Sequence, residues 1–129
     1  MTQKRFFKVL VAEDEPEMLR SYRLILEDMG CEVVTTRDGQ ECLDAYRRTP
    51  SNANTNGRFD LVILDYKIPR KNGVEVAKEI AAIAPSQNLL MITAYEDIID
   101  PKQKPENMKI MGKPYDVDEL IETIRSLTQ

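Results

Sequence analysis

Short apolar runs recur along the chain, and each has the length of a single β-strand. Four of them are rich in Val, Ile and Leu, and a fifth is more polar; they span residues 8–12, 60–64, 89–92, 109–111 and, for the polar one, 32–36. The segments between them carry apolar residues at spacings of three and four, which is typical of amphipathic helices. This alternation of strand and helix, repeated five times, predicts an α/β fold.

The polarity of the runs predicts where each strand lies in the sheet. Runs 8–12, 60–64 and 89–92 are almost continuously apolar, as in parallel strands that are covered on both faces. The runs 32–36 and 109–111, which are the second and the fifth along the chain, carry polar positions, and edge strands tolerate such positions. With right-handed crossovers, this places the strands in the order 2-1-3-4-5, a flavodoxin-like doubly wound parallel sheet.

Signals for helix ends support this assignment. Pro16 stands in the first turn of the first helix, and Gly30 is placed to end it. The pattern Asp-x-x-Glu at 38–41 and 116–119 resembles a capping box and predicts the starts of the second and fifth helices. Residues 73–84 form the predicted third helix.

Two segments are predicted to be irregular. The fourth helical segment, residues 96–108, contains Pro101 and Pro105, so we expect one short helical piece followed by irregular chain. Residues 49–58 are long and polar, and we expect a mobile surface loop there.

Composition narrows the possible functions. The 129 residues are 42% apolar and 31% charged, show no internal repeat and are expected to form one domain, 1–129. A net charge of −4 argues against direct binding to nucleic acid or to an anionic membrane. The chain shows no apolar run of membrane-spanning length and no signal peptide, which predicts a cytoplasmic protein.

The scarcity of cysteine and the lack of histidine limit the chemistry further. The sequence has no histidine and two cysteines, Cys31 and Cys42. A zinc cluster, a disulfide framework, Ser-His or Cys-His catalysis and a phosphohistidine carrier are therefore excluded. Carboxylates, lysine and hydroxyl groups remain as the side chains that can carry the chemistry of this protein.

Such groups stand directly after the apolar runs: Glu13 and Asp14, then Asp65, Thr93 and Lys113. The carboxyl ends of parallel strands meet at one edge of the sheet, so these side chains are expected to share a cleft. Several carboxylates facing one another require a cation, and hard oxygen ligands suit Mg²⁺.

The residues around these positions resemble a known family. Residues 9–16, VLVAEDEP, and 61–73, LVILDYKIPRKNG, followed by Thr93-Ala94 and Lys113-Pro114, resemble the receiver domains of bacterial-type two-component response regulators. The resemblance implies that Asp65 accepts a phosphoryl group from a histidine kinase or a phosphotransfer protein, and that phosphorylation switches the binding of partners.

The resemblance also implies roles for the neighbouring residues. Glu13, Asp14, Asp65 and the backbone carbonyl of Lys67 would hold Mg²⁺, while Thr93 and Lys113 would contact the phosphoryl group. It further implies a cis peptide bond before Pro114. Such a domain takes part in its own phosphorylation and turns over no metabolite.

The chain departs from the family pattern at three places, the smallest being Glu13, which stands where Asp is commoner and is a longer side chain that can still reach a metal through water. Ile110 stands where receivers usually carry Tyr or Phe, three residues before the lysine, so the familiar aromatic readout is expected to be absent or replaced. The prolines in the fourth helical segment make the usual dimer through the fourth helix, fifth strand and fifth helix doubtful.

Two alternatives follow from these observations. A degenerate receiver would bind its partner whatever the state of Asp65. An enzyme or flavin carrier on the same fold would need a Gly-, Ser- or Thr-rich loop after the first strand, where residues 13–16 read Glu-Asp-Glu-Pro and would repel phosphate. No output domain follows Gln129, which fits either a single-domain regulator or a piece of a larger one.

Overall fold

The computed structural model describes residues 7–51 and 57–128. Strands and helices alternate in the predicted order, except that within these ranges no α-helix separates the fourth and fifth strands. The elements are β1 (Lys8–Ala12), α1 (Pro16–Asp28), β2 (Glu32–Thr36), α2 (Gly39–Arg48), β3 (Leu61–Leu64), α3 (Gly73–Ile83), β4 (Leu89–Thr93), β5 (Met108–Gly112) and α4 (Val117–Thr128).

The five strands form one parallel sheet in the order β2-β1-β3-β4-β5, which confirms the prediction. Val9 of β1 lies opposite Val33 of β2 on one side and Leu61 of β3 on the other. Strands β3 and β4 are buried along their whole length, whereas the edge strands expose Glu32 and Lys109. The continuously apolar runs are therefore the inner strands.

Helices cover both faces of the sheet, and each face has its own apolar cluster. Leu10 points to the face where Tyr46 of α2 and Ile80 of α3 are buried. Val9 and Val11 point to the opposite face. There they pack with residues of α1 and α4, namely Tyr22, Leu26, Leu120 and Ile124.

The helix ends follow the sequence signals closely. Gly30, with a φ of 85°, takes the left-handed conformation that ends α1. Asp38 accepts a 2.8 Å hydrogen bond from the Glu41 amide and so begins α2. At α3, Asn72 and Glu75 form a reciprocal capping box, which was not predicted.

The segment between β4 and β5 is irregular, as predicted. It holds one 3₁₀ turn, Glu96–Ile98, followed by turns and bends up to β5. The predicted mobile loop, 49–58, falls largely on residues 52–56, which lie outside the described residues. None of the helices in the described ranges combines the length and apolar character needed to cross a bilayer.

Candidate functional site

Three charged side chains meet at the carboxyl edge of the sheet. Glu13 follows β1, Asp65 follows β3 and Lys113 follows β5. The Lys113 ammonium Nζ lies 3.0 Å from Asp65 Oδ2 and 3.2 Å from Glu13 Oε1. One ammonium group therefore bridges two carboxylates that come from different strands.

The three groups differ in their access to solvent. The Glu13 side chain is 2% exposed, that of Asp65 is 13% exposed and that of Lys113 is 21% exposed. Asp65 is thus enclosed on most sides but still open to a reactant, whereas Glu13 forms the floor of the site.

Burial and charge together set the titration of this cluster. Burial raises the pKa of Glu13 above its usual value, and the opposing effects of the Glu15 amide and of the Lys113 charge do not fully offset it. Burial on its own lowers the pKa of Lys113, but hydrogen bonds and charge attraction from Asp65 and Glu13 outweigh it and raise that pKa overall. Lys113 therefore stays a cation at neutral pH.

The backbone holds these residues by continuing the sheet past the strand ends. The Asp65 amide donates to the Ala12 carbonyl at 3.1 Å, and the Lys113 amide donates to the Thr93 carbonyl at 2.9 Å. The Glu13 amide donates in the same way to Thr36 at 3.1 Å. Because each site residue comes directly after a strand and continues its hydrogen bonding to the neighbouring strand, its Cα position is set by the sheet and not by a loose loop.

The loop after Asp65 folds back onto it. The Lys67 amide approaches Asp65 Oδ1 at 3.4 Å, and the Gly73 amide donates to the Tyr66 carbonyl at 2.8 Å. A Cβ atom at Gly73 would meet the backbone carbonyl of Asp65, so this close return of the chain requires glycine.

Thr93 lies at the same edge and is fully buried. Its hydroxyl oxygen accepts a 3.0 Å hydrogen bond from the Tyr95 amide, which ties it to the loop that follows β4. The described hydrogen bonds of its side chain thus reach its own loop and not Asp65. The peptide bond between Lys113 and Pro114 is cis, as the family resemblance implied.

The expected metal ligands are only partly assembled. Within residues 7–51 and 57–128, no three acidic or cysteine side chains are close enough to hold a metal ion by themselves. Asp14 is exposed, and the Lys113 ammonium lies between Glu13 and Asp65. The donors are nonetheless all hard oxygens, and Mg²⁺ needs only one or two carboxylates because it keeps several waters. The residues fit a weakly held Mg²⁺.

An aromatic rim beside Asp65 was not predicted as a unit. The rings of Tyr66 and Tyr95 have centroids 6.5 Å apart, and the Lys67 ammonium lies 5.3 Å from the Tyr95 centroid. Tyr66 was overlooked as a site residue, although its position directly after Asp65 was a signal. Tyr95 is 41% exposed, so the rim faces solvent.

Comparison with known proteins agrees with this geometry. Residues 9–125 match the response regulator receiver domain family. The chain belongs to that family. Its receiver domain is 33% identical over 123 residues to the transcriptional regulatory protein PdtaR of Mycobacterium tuberculosis, a match covering 91% of the chain and 54% of PdtaR. It is 30% identical over 130 residues to the response regulator ArlR of Staphylococcus aureus, covering 93% and 52%.

The chain therefore spans about half the length of these curated relatives. A receiver domain from Clostridium thermocellum matches with a TM-score of 0.80 at 27% identity, covering 95% of this chain and 94% of that one. The receiver of the Pseudomonas aeruginosa sensor histidine kinase PA1611, with magnesium coordinated in its active site cleft, shares the fold at a TM-score of 0.79 and 21% identity, covering 96% and 98%.

Membership in this family identifies the general role. Receiver domains act in phosphorylation-dependent two-component signalling and do not turn over metabolites.

Proposed function

We propose that Asp65 is the phosphoacceptor, taking its phosphoryl group from a histidine kinase or a phosphotransfer protein. The contact between Asp65 and Lys113 carries this proposal. A carboxylate oxygen of Asp65 forms the new O–P bond while the P–N bond of the donor phosphohistidine breaks, and the departing imidazole keeps the electron pair and takes up a proton. The Lys113 ammonium offsets the repulsion between the two anions.

The two oxygens of Asp65 are not equivalent. Oδ2 is held by Lys113 at 3.0 Å, whereas the contact that the described residues give Oδ1 is the longer, 3.4 Å approach of the Lys67 amide. We therefore assign the attack to Oδ1. Lys113 then lies next to the reacting carboxylate, where its ammonium group can stabilise the negative charge on the phosphoryl oxygens.

Glu13, Asp14, Asp65 and the Lys67 carbonyl are the proposed ligands of Mg²⁺. When bound, the ion supplies positive charge for the phosphoryl oxygens. The buried Glu13 carboxylate would hold the ion from the inner side of the site, and the exposed Asp14 carboxylate would hold it from the solvent side.

The proposed switch runs through Thr93. Its hydroxyl would donate to a phosphoryl oxygen on Asp65, and its bond to the Tyr95 amide would carry the shift into the segment between β4 and β5. Ile110 is half-buried and packs against the core, and its branched side chain lacks the rotational freedom of the aromatic side chain usual there. Isoleucine also has no hydroxyl group. The output would be altered binding of a partner protein or of an output domain.

The test of the acceptor is an intact-mass measurement after incubation with a small phosphodonor and Mg²⁺. Asp65→Asn abolishes the mass increase, while Asp97→Asn, an exposed acid beyond β4, retains it. Modification of the Asp65→Asn variant would refute the assignment.

The metal role has its own readout. Titration of Mg²⁺ into the unmodified domain shifts the amide resonances of the cleft, and Asp14→Ala removes most of that shift together with the phosphoryl uptake. Equal uptake in the presence of a chelator would show that the metal role is wrong.

A degenerate receiver is the second candidate, and Ile110 and the prolines after β4 favour it. A comparison of amide shifts with and without the phosphoryl analogue beryllofluoride separates the two. Changes that reach residues 93–111 support the switch, and changes confined to the loop after Asp65 support the degenerate receiver. The single domain at 1–129, the absence of direct nucleic-acid and membrane binding, and the cytoplasmic location remain predictions.

A further inference from the structure

A second cleft, of about 290 Å³, lies between α1 and the edge strand β2. We call it the arginine cleft; it is lined by Pro16, Leu19, Arg20, Arg23, Thr35 and Arg37. None of these six residues belongs to the cluster of Glu13, Asp65 and Lys113. The proposed phosphorylation chemistry does not use it.

Three guanidinium groups surround this cleft with little to neutralise them. Arg23 has an ion pair with Glu27 at 3.6 Å, but both side chains are at least half exposed, so the pair is weak. Within the described residues, the guanidinium groups of Arg20 and Arg37 have no hydrogen bond or ion pair. Like charges gathered in this way repel one another unless an anion lies between them.

Three arginines in or near α2 are used differently. Arg47 and Arg70 pair with carboxylates, and Arg58 donates to backbone carbonyls. Those three groups hold one element of the fold to another. The guanidinium groups of Arg20 and Arg37 hold nothing within the described part of the chain and remain available to a ligand.

We propose that the arginine cleft docks an acidic segment of a partner protein. Guanidinium groups bind carboxylates through paired, charge-assisted hydrogen bonds, and three of them in one cleft match two or three acidic side chains. Pro16 and Leu19 add apolar wall for the carbon stems of such side chains.

The charge of the whole chain favours this occupant over a polyanion. The net charge is −4, so an extended nucleic acid or an anionic bilayer meets repulsion outside the cleft. A basic track for nucleic acid would also need more than one small cluster. A short acidic segment reaches the three arginines without crossing the acidic remainder of the surface.

The experiment measures the fluorescence anisotropy of a labelled hexaglutamate peptide added to the 129-residue chain. Arg20→Gln combined with Arg37→Gln weakens binding about tenfold, as expected for the loss of two charge-assisted contacts. The matched control combines Arg48→Gln with Arg125→Gln, which removes the same charge from exposed arginines on other helices and leaves binding unchanged.

Further measurements locate the binding site and identify the class of ligand. Amide resonances of Thr35 and Arg37 shift on addition of the peptide, and Asp65→Asn leaves the affinity as it was, so failure here is distinct from failure of the phosphoacceptor proposal. Equal binding by the two double variants, or equal binding of a hexaglutamine peptide, would overturn the proposal. So would displacement by inorganic phosphate at equal concentration, or tighter binding of duplex DNA or of phosphatidylserine vesicles.

Discussion

Glu13 is a carboxylate with almost no access to water beside a single ammonium group. Its raised pKa shows that burial costs the charged form more than Lys113 and the Glu15 amide restore. A group whose pKa is raised on folding adds stability below its unfolded pKa, 4.5, and loses that contribution as the pH rises through the folded value. At neutral pH the ionised Glu13 therefore lowers the stability of the domain.

Glu13→Gln removes the charge and keeps the shape, so this variant should unfold at a higher temperature than the wild-type domain at neutral pH. Well below pH 4.5 the difference should vanish, because the wild-type side chain is then protonated as well. Thermal unfolding at both pH values measures this, with the exposed Glu122→Gln as control. A lower midpoint for Glu13→Gln at neutral pH would mean that the attraction of Lys113 exceeds the cost of burial.

Lys67 and Tyr95 lie two residues beyond Asp65 and Thr93 respectively, and the Lys67 ammonium is 5.3 Å from the centroid of the Tyr95 ring. We expect this contact to cover the side from which water would approach a phosphoryl group on Asp65. Lys67→Asn and Tyr95→Ala should each speed loss of the phosphoryl group. The double variant should lose it about tenfold faster, which corresponds to an activation barrier lower by about 1.4 kcal/mol.

The decay of the phosphorylated mass over time measures this effect. The exposed Lys109→Asn on β5 is the control and should decay like the wild type. Unchanged decay in the double variant would show that neither side chain shields the phosphoryl group.

At the scale of elements, the strands were predictable to within one or two residues because apolar runs and edge polarity reflect burial directly. Residues 8–12 and 32–36 match β1 and β2, and the prolines correctly predicted the irregular segment before β5. The location of the site was predictable, because the carboxyl ends of parallel strands lie at one edge of the sheet. The bridging position of Lys113 and the rim of Tyr66 and Tyr95 were not, because they depend on side-chain directions that no sequence period encodes.

The start of α3 shows how an element supports Asp65, the proposed acceptor. Gly73→Ala places a methyl group against the rigid carbonyl of Asp65, so it should lower the free energy of unfolding by about 1–3 kcal/mol and slow phosphoryl uptake. Urea unfolding and the rate of mass increase measure the two effects.

The control for that variant is Ala82→Gly in the same helix. Ala82 is exposed, and its replacement should cost about 1 kcal/mol through helix propensity alone while leaving uptake unchanged. If Gly73→Ala takes up phosphate as fast as Ala82→Gly, the close return of the chain is not what positions Asp65.

At the scale of the whole molecule, several groups in the described part of the chain bind their protons more tightly in the folded state, among them Tyr22, Cys42 and Lys113. Burial raises the pKa of Tyr22 and raises that of the Cys42 thiol from 9.0 to about 12. For Lys113, burial acts in the opposite direction, but contacts with Asp65 and Glu13 outweigh it and raise the pKa. The unfolded chain releases these protons first, so stability should fall as the pH rises above 9.0.

Cys42 allows this slope to be tested. Between pH 9.0 and about 12 the thiol makes the domain progressively less stable as the pH rises, because the unfolded chain releases this proton while the folded chain retains it. Cys42→Ala should be less stable at neutral pH because it leaves a cavity, yet its stability should decline less steeply in alkali. Urea unfolding across this pH range measures both, and parallel slopes would contradict the buried, protonated thiol.

The bridge between Glu13 and Lys113 joins residues 100 positions apart in the chain. During synthesis on the ribosome, β2, β1 and β3 can pair early, since they are neighbours in the sheet and come from the first half of the sequence. Glu13 and Asp65 then face each other without their ammonium until β5 has been made and docked. With Asp65 as the proposed acceptor, a nascent or truncated chain that lacks β5 would carry the acceptor carboxylate without the Lys113 ammonium, so the order of the strands would delay phosphorylation until β5 is in place.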